Sequence, residues 1–166
     1  MRRFALTFAA LLLTLFTIEL LDPVQAAVVQ PFTGWLADIS AAIIMPMDEH
    51  VSASGRILRH SQTGFAVSIE AGCNGVEAAI VLIAGIAAYP APTASKITAI
   101  VLGFLAIQVM NIARIISLFY LGQWNLDAFT WVHLYLWPVL IMLDVLVVFI
   151  LHLRHLARRE LRAEAA

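Results

Sequence analysis

The sequence predicts an all-α polytopic membrane protein of about four transmembrane helices, with an interfacial helix and a small extended outer segment. Three observations carry that prediction. Hydrophobic residues make up 62% of the 166 and charged residues 13%, with a mean hydropathy of +0.92, far from the averages of soluble domains. Several apolar runs approach the roughly 20 residues that cross a hydrocarbon core. The basic residues also sort by side: Arg2, Arg3, Lys96, Arg154, Arg158, Arg159 and Arg162 fall at one face of a four-span arrangement, Arg56 and Arg59 at the other, and Arg114 inside a span. The positive-inside rule then puts both ends in the cytoplasm. The length suits one domain, residues 1–166. A net charge of -1 with scattered bases gives no nucleic-acid surface.

The first apolar run, about 4–21, follows Arg2 and Arg3 and ends at Asp22 and Pro23, as a first span should. The small residues after Val24 would also suit a cleaved signal peptide, and either reading delivers Asp22 onward to the outer side. Residues 28–45 are amphipathic, interrupted by Pro31 and Gly34 and broken by Pro46, Asp48, Glu49 and His50, which predicts a helix lying on the membrane. Residues 51–69 alternate polar and apolar around Gly55 and Gly64, which predicts a β-hairpin or extended cap. A second span, about 74–90, is apolar but for Glu77 and stops at Pro90 and Pro92.

The third span, about 97–121, carries Gln108, Asn111, Arg114 and Ser117 at three-residue spacing. That spacing drifts slowly around a helix and predicts an inward polar stripe. A loop over 122–130 leads to a fourth span, about 131–151, whose Trp131, Tyr135 and Trp137 form an interfacial belt. There is no internal repeat of the kind that marks duplicated transporters.

In this topology Cys73 precedes the outer end of the second span, Arg114 lies in the outer third of the third, and His133 begins the fourth. Arginine within a bilayer costs roughly 2.5–3.5 kcal/mol on insertion scales, so Arg114 needs compensation and marks a functional site by default. The single cysteine excludes an intrachain disulfide and a multi-cysteine metal site. A thiol becomes a nucleophile when a cation, a base or a helix N-terminus favours the thiolate, and Cys73 has all three within sequence reach. His133 would act as base and then acid, Arg114 would stabilise thiolate or oxyanion, and the glycines of Gly72-Cys73-Asn74-Gly75 would let backbone N–H groups approach a reacting carbonyl. Asn111, one turn from Arg114, would orient it or the substrate.

Each residue also has a plainer reading: Cys73 as packing, His133 as an interfacial residue, and Arg114 in a structural ion pair with Glu77. Asp144 and Glu70 read as structural, Arg56, Arg59, His50 and His60 as a solvated outer surface, and His152 and His155 as part of the cytoplasmic tail.

The run Glu70-Ala71-Gly72-Cys73-Asn74-Gly75, then Asn111-Ile112-Ala113-Arg114, then His133, resembles the exosortase and archaeosortase transpeptidases over about 68–151, and is most like exosortase H. The resemblance implies a membrane-embedded cysteine transpeptidase or protease. Such an enzyme cleaves C-terminal sorting signals of exported proteins through a thioacyl-enzyme, with transfer to an amine acceptor as a further step. It implies substrates with a short motif, a transmembrane helix and a basic tail, and a multi-pass enzyme in the bacterial cytoplasmic membrane with its site facing the periplasm. Carried over by position, the nucleophile falls on Cys73, the arginine on Arg114 and the histidine on His133; from their places in the sequence beside these, Asn111, Asn74 and Glu77 are read as supporting or substrate-binding residues. Asn74 stands where the common family form has Ser or Ala. No metal or organic cofactor is implied. Two readings from other classes stand beside it: a small channel or transporter subunit using the Gln108 to Ser117 stripe, and an envelope-assembly scaffold. Loss of function in Cys73→Ser separates the enzyme from both.

Overall fold

The computed structural model describes residues 2–164. Helix α1 (Arg2–Glu19) is followed by α2 (Asp22–Val24), a π turn (Gln25–Val29) and α3 (Gln30–Ile44). Three strands come next, β1 (Val51–Ser54), β2 (Ile57–His60) and β3 (Ala66–Ser68). The chain ends in α4 (Val76–Ala88), α5 (Thr93–Trp124), α6 (Leu126–Trp131), a second π turn (Val132–Leu136) and α7 (Trp137–Glu164). Three helical stretches are long and apolar enough to cross a membrane, Asp22–Ile44, Thr93–Trp124 and Leu126–Arg159, with Val76–Ala88 a shorter apolar helix. The chain is a multi-pass, all-α membrane protein with a small sheet.

Residues 28–45, expected to lie on the membrane, belong to a continuous 23-residue helix that begins at Asp22 and has the length and hydropathy to cross it. Its two prolines do not break it. Pro23 sits in the first turn, where no backbone N–H is needed. Pro31 follows the π turn, whose wider spacing absorbs the missing donor. The expected hairpin is a three-stranded antiparallel sheet in the order β1-β2-β3, turned first at Gly55, whose φ of 55° suits glycine.

The second expected span shortens to the 13 residues of α4. Asn74 and Gly75 are taken up by the preceding turn, and Tyr89 turns extended before Pro90, as a residue before proline prefers. Lys96 Nζ donates to the Ala87 carbonyl at 2.7 Å and closes the α4–α5 corner. The loop expected over 122–130 is helical apart from Asn125. Its side chain accepts the Ala128 N–H at 2.9 Å and caps α6 as soon as α5 ends.

Two apolar cores hold these elements. Leu36, Ile44, Leu58 and Phe119 join α3, the sheet and the outer half of α5. Leu82, Ile86, Ile107, Ile141 and Val145 join α4, α5 and α7. At Gly103 a Cβ would lie 2.5 Å from Leu82 and 2.7 Å from Val148, so α5 needs glycine there to seat against both neighbours. α1 runs along α4, with Phe4 against Tyr89 and Phe8 beside Gly85. Outward residues such as Leu102, Val109, Val139 and Leu143 are exposed apolar side chains, as lipid-facing positions must be.

Candidate active site

The site begins in the turn that leads into α4. Cys73 N–H bonds the Glu70 carbonyl at 2.9 Å, and Gly72 and Gly75 take φ of 82° and 78°, which side chains disfavour. A Cβ on Gly75 would also come within 2.9 Å of Gln108 Nε2 and 3.2 Å of Ile107 Cγ2, so those side chains would have to give. Asn74, fully buried, holds the turn from both sides. Its Oδ1 accepts the Val76 N–H at 3.0 Å, and its Nδ2 donates to Thr33 Oγ1 at 3.1 Å. Glu77 accepts the Gly72 N–H. The turn is thus tied to α3 and to the first turn of α4, which fixes where the half-buried Cys73 stands.

Arg114 reaches this turn from α5. Its Nη1 donates to the Gly72 carbonyl at 3.1 Å, and its Nη2 lies 3.4 Å from Cys73 Sγ. His133 comes from the π turn between α6 and α7, with Nε2 4.0 Å from the same sulfur. Single π turns inside helices are rare and frequent at functional sites. Phe129, one turn earlier, stacks on the imidazole at 5.6 Å and 6° and sets its plane. The structure therefore brings Cys73, Arg114 and His133 together from three elements. They line one cleft of about 130 Å³, with β3 residues along another wall.

The supporting residues divide. Glu77 and Asn74 hold the turn. Asn111 is fully buried, yet its amide makes no hydrogen bond to Arg114 or to any other described residue, so it does not orient the guanidinium here. Among the described residues Arg114 has no ion pair with Glu77; it holds the loop carbonyl and faces the sulfur instead. The polar stripe turns inward only at Gln108, Asn111 and Arg114. Ser117 is exposed, because three steps of three residues rotate it away from the buried face.

Burial, the largest influence, pushes the Cys73 thiol above its ordinary value; Arg114 pulls it down, and Glu77 and Glu70 push it up again. The balance leaves a protonated thiol at rest, where the sequence suggested a favoured thiolate. Of the expected backbone oxyanion donors, the N–H groups of Gly72 and Cys73 are committed to Glu77 and Glu70. Arg114 is the donor that faces the sulfur.

Two histidines sit differently from expectation. His60 is 8% exposed rather than solvated, with Nδ1 accepting the N–H groups of Gln62 and Thr63 and Nε2 3.3 Å from Asp48. His152 is buried on α7, which continues through the segment expected as a tail. Sequence reasoning also missed Phe129 and Thr33. The first was legible as an aromatic one turn before His133; nothing in the sequence pointed to the second.

A family model for transmembrane exosortases matches residues 1–151. No curated protein and no solved structure matches the chain.

Proposed function

The chain belongs to the transmembrane exosortase family, and from that premise we propose that it is a cysteine transpeptidase or protease acting on the C-terminal sorting signals of exported proteins. The observation that carries this reading is the meeting of three rare polar groups from three elements of an apolar bundle: Cys73 Sγ with Arg114 at 3.4 Å and His133 at 4.0 Å.

The chemistry follows from the resting thiol. His133 Nε2 accepts the thiol proton as Sγ bonds to the scissile carbonyl carbon, and the 4.0 Å separation shortens when substrate fills the cleft. The carbonyl oxygen gains the displaced electron pair, and Arg114 stabilises it, a role worth about 3–4 kcal/mol for one such donor. The tetrahedral intermediate collapses, the C–N bond breaks, and the protonated imidazole gives its proton to the leaving amine. What remains is a thioacyl-enzyme on Cys73. An amine or water then attacks the thioester carbonyl and restores the thiol. Arg114 has a second part, because its grip on the Gly72 carbonyl keeps the nucleophile's own turn in register.

Charge asymmetry supports the bacterial cytoplasmic membrane with the site facing the periplasm, since Arg2, Arg3, Lys96 and the bases of α7 belong to the opposite end. Substrates carrying a motif, a membrane helix and a basic tail would be held in the membrane plane, where tethering raises the effective concentration of a weakly bound motif. Co-expression with an exported protein bearing such a signal, at equal membrane abundance of wild type and Cys73→Ala, tests the reading. Shortening by wild type alone supports it, and equal shortening by both removes Cys73 as nucleophile.

A further inference from the structure

The sheet ends beside the site. β3 is an edge strand, paired on one side with β2 in a register that puts Val67 opposite Leu58. At its two ends His60 N–H bonds the Phe65 carbonyl and Ile69 N–H bonds the Arg56 carbonyl, each at 2.9 Å. Antiparallel pairing alternates, so the backbone groups of Phe65, Val67 and Ile69 turn toward β2 while those of Ala66 and Ser68 turn outward. Ala66 and Ser68 are both exposed.

The cleft of the candidate site reaches this strand at Val67 and Ser68. Val67, Ser68 and Ile69 form one wall, Phe129 and His133 contribute another, and Cys73 lines it too. Natural sheets protect exposed edges with charges, prolines, covering elements or very short strands. β3 is a three-residue strand without charge or proline in Ala66–Ser68, and no described strand pairs with its outer edge.

We infer that the outer edge of β3 receives the substrate as an added strand: an extended polypeptide segment next to the scissile bond lies between β3 and the Phe129–His133 side, hydrogen-bonds the outward groups of Ala66 and Ser68, and so delivers its carbonyl to Cys73. This inference rests on the peptidase reading and specifies how that site holds its substrate. Main-chain pairing supplies affinity with little demand on side chains, and only alternate substrate residues face the protein. It also satisfies the polar backbone of a peptide rising out of a membrane helix, where unpaired N–H and C=O groups are costly.

The test is a backbone scan. Synthetic peptides covering the C-terminal signal of an exported protein from the same genome, membrane helix included, are N-methylated one amide at a time. Their equilibrium binding to Cys73→Ala is then measured in detergent micelles. Strand addition predicts a period of two: methylation at alternate positions weakens binding about fivefold or more, the loss of roughly one hydrogen bond, and at intervening positions less than about twofold. Ser68→Pro removes an outward N–H without touching the β2 ladder, the setting in which strands tolerate proline. It weakens the parent peptide similarly. A flat or aperiodic scan, or no detectable binding, overturns the inference, and the scan decides even where Ser68→Pro fails to fold. Alternation without cleavage by wild type leaves the strand site standing and removes the peptidase reading instead.

Discussion

Arg114 holds the Gly72 carbonyl with one guanidinium nitrogen and faces Cys73 Sγ at 3.4 Å with the other. One side chain thereby couples the position of the nucleophile's turn to the charge beside the sulfur.

That coupling predicts that Arg114→Lys is not conservative. Lysine keeps a charge but lacks the planar fork that serves two partners at once. We expect Arg114→Ala to lower kcat/KM by about 10²–10³, and Arg114→Lys to recover only a minor part of that loss. Cleavage assays in detergent, normalised to folded protein, check this; full activity in Arg114→Lys would show that the carbonyl contact is dispensable.

The thiol has a sign to test. Burial raises it and Arg114 opposes the rise, while Glu77 adds to it. Iodoacetamide labelling of the single cysteine should therefore rise with pH through a midpoint above the ordinary thiol value. Arg114→Gln removes the lowering influence and moves the midpoint up. Glu77→Gln, which keeps an acceptor for the Gly72 N–H, moves it down. A wild-type midpoint below that of a free thiol would contradict the arrangement.

The turn should be costly to disturb. Asn74→Ala removes hydrogen bonds to Thr33 and to the Val76 N–H in a fully buried place, an expected loss of about 1–3 kcal/mol. Thr33→Val should cost less, and the two losses should not add, since they share a bond. Gly75→Ala meets both the positive φ and Gln108, with about 1–2 kcal/mol for the conformation alone. Thermal unfolding of the purified variants reads all three.

Phe129 fixes the imidazole plane by stacking. Phe129→Ala should lower kcat by about tenfold, well short of the 10²–10⁴ expected for His133→Ala. It should leave the Cys73 labelling midpoint near that of wild type. A shift as large as that of Arg114→Gln would mean that Phe129 acts on the thiol.

Much of this site was legible because cysteine, arginine and histidine are conspicuous in apolar segments, and charge asymmetry placed Cys73, Arg114 and His133 at one end of the bundle. What stayed hidden depends on geometry that composition does not encode. The π turn that carries His133 has no sequence mark. Asn125 looks like a loop residue until it caps α6, and that cap, with α5 running on to Trp124, leaves Asn125 alone non-helical in an expected nine-residue loop. Pro31 looks like a break until the π turn before it supplies the slack. Asn111 sits one turn from Arg114 as its spacing required, yet proximity along a helix did not make a hydrogen bond. His60 was read as part of a solvated outer surface; its pairing with Asp48 draws on a residue twelve positions earlier, in the turn before β1.

The central claim is that Cys73 carries the acyl group, and intact-mass spectrometry of the enzyme quenched in acid during turnover tests it most directly. The mechanism predicts an adduct equal to the N-terminal part of the substrate, mapped to Cys73, released by neutral hydroxylamine and missing from Cys73→Ala. Substrate cleavage at the wild-type rate with no adduct on Cys73, or with Cys73→Ala equally active, would contradict it.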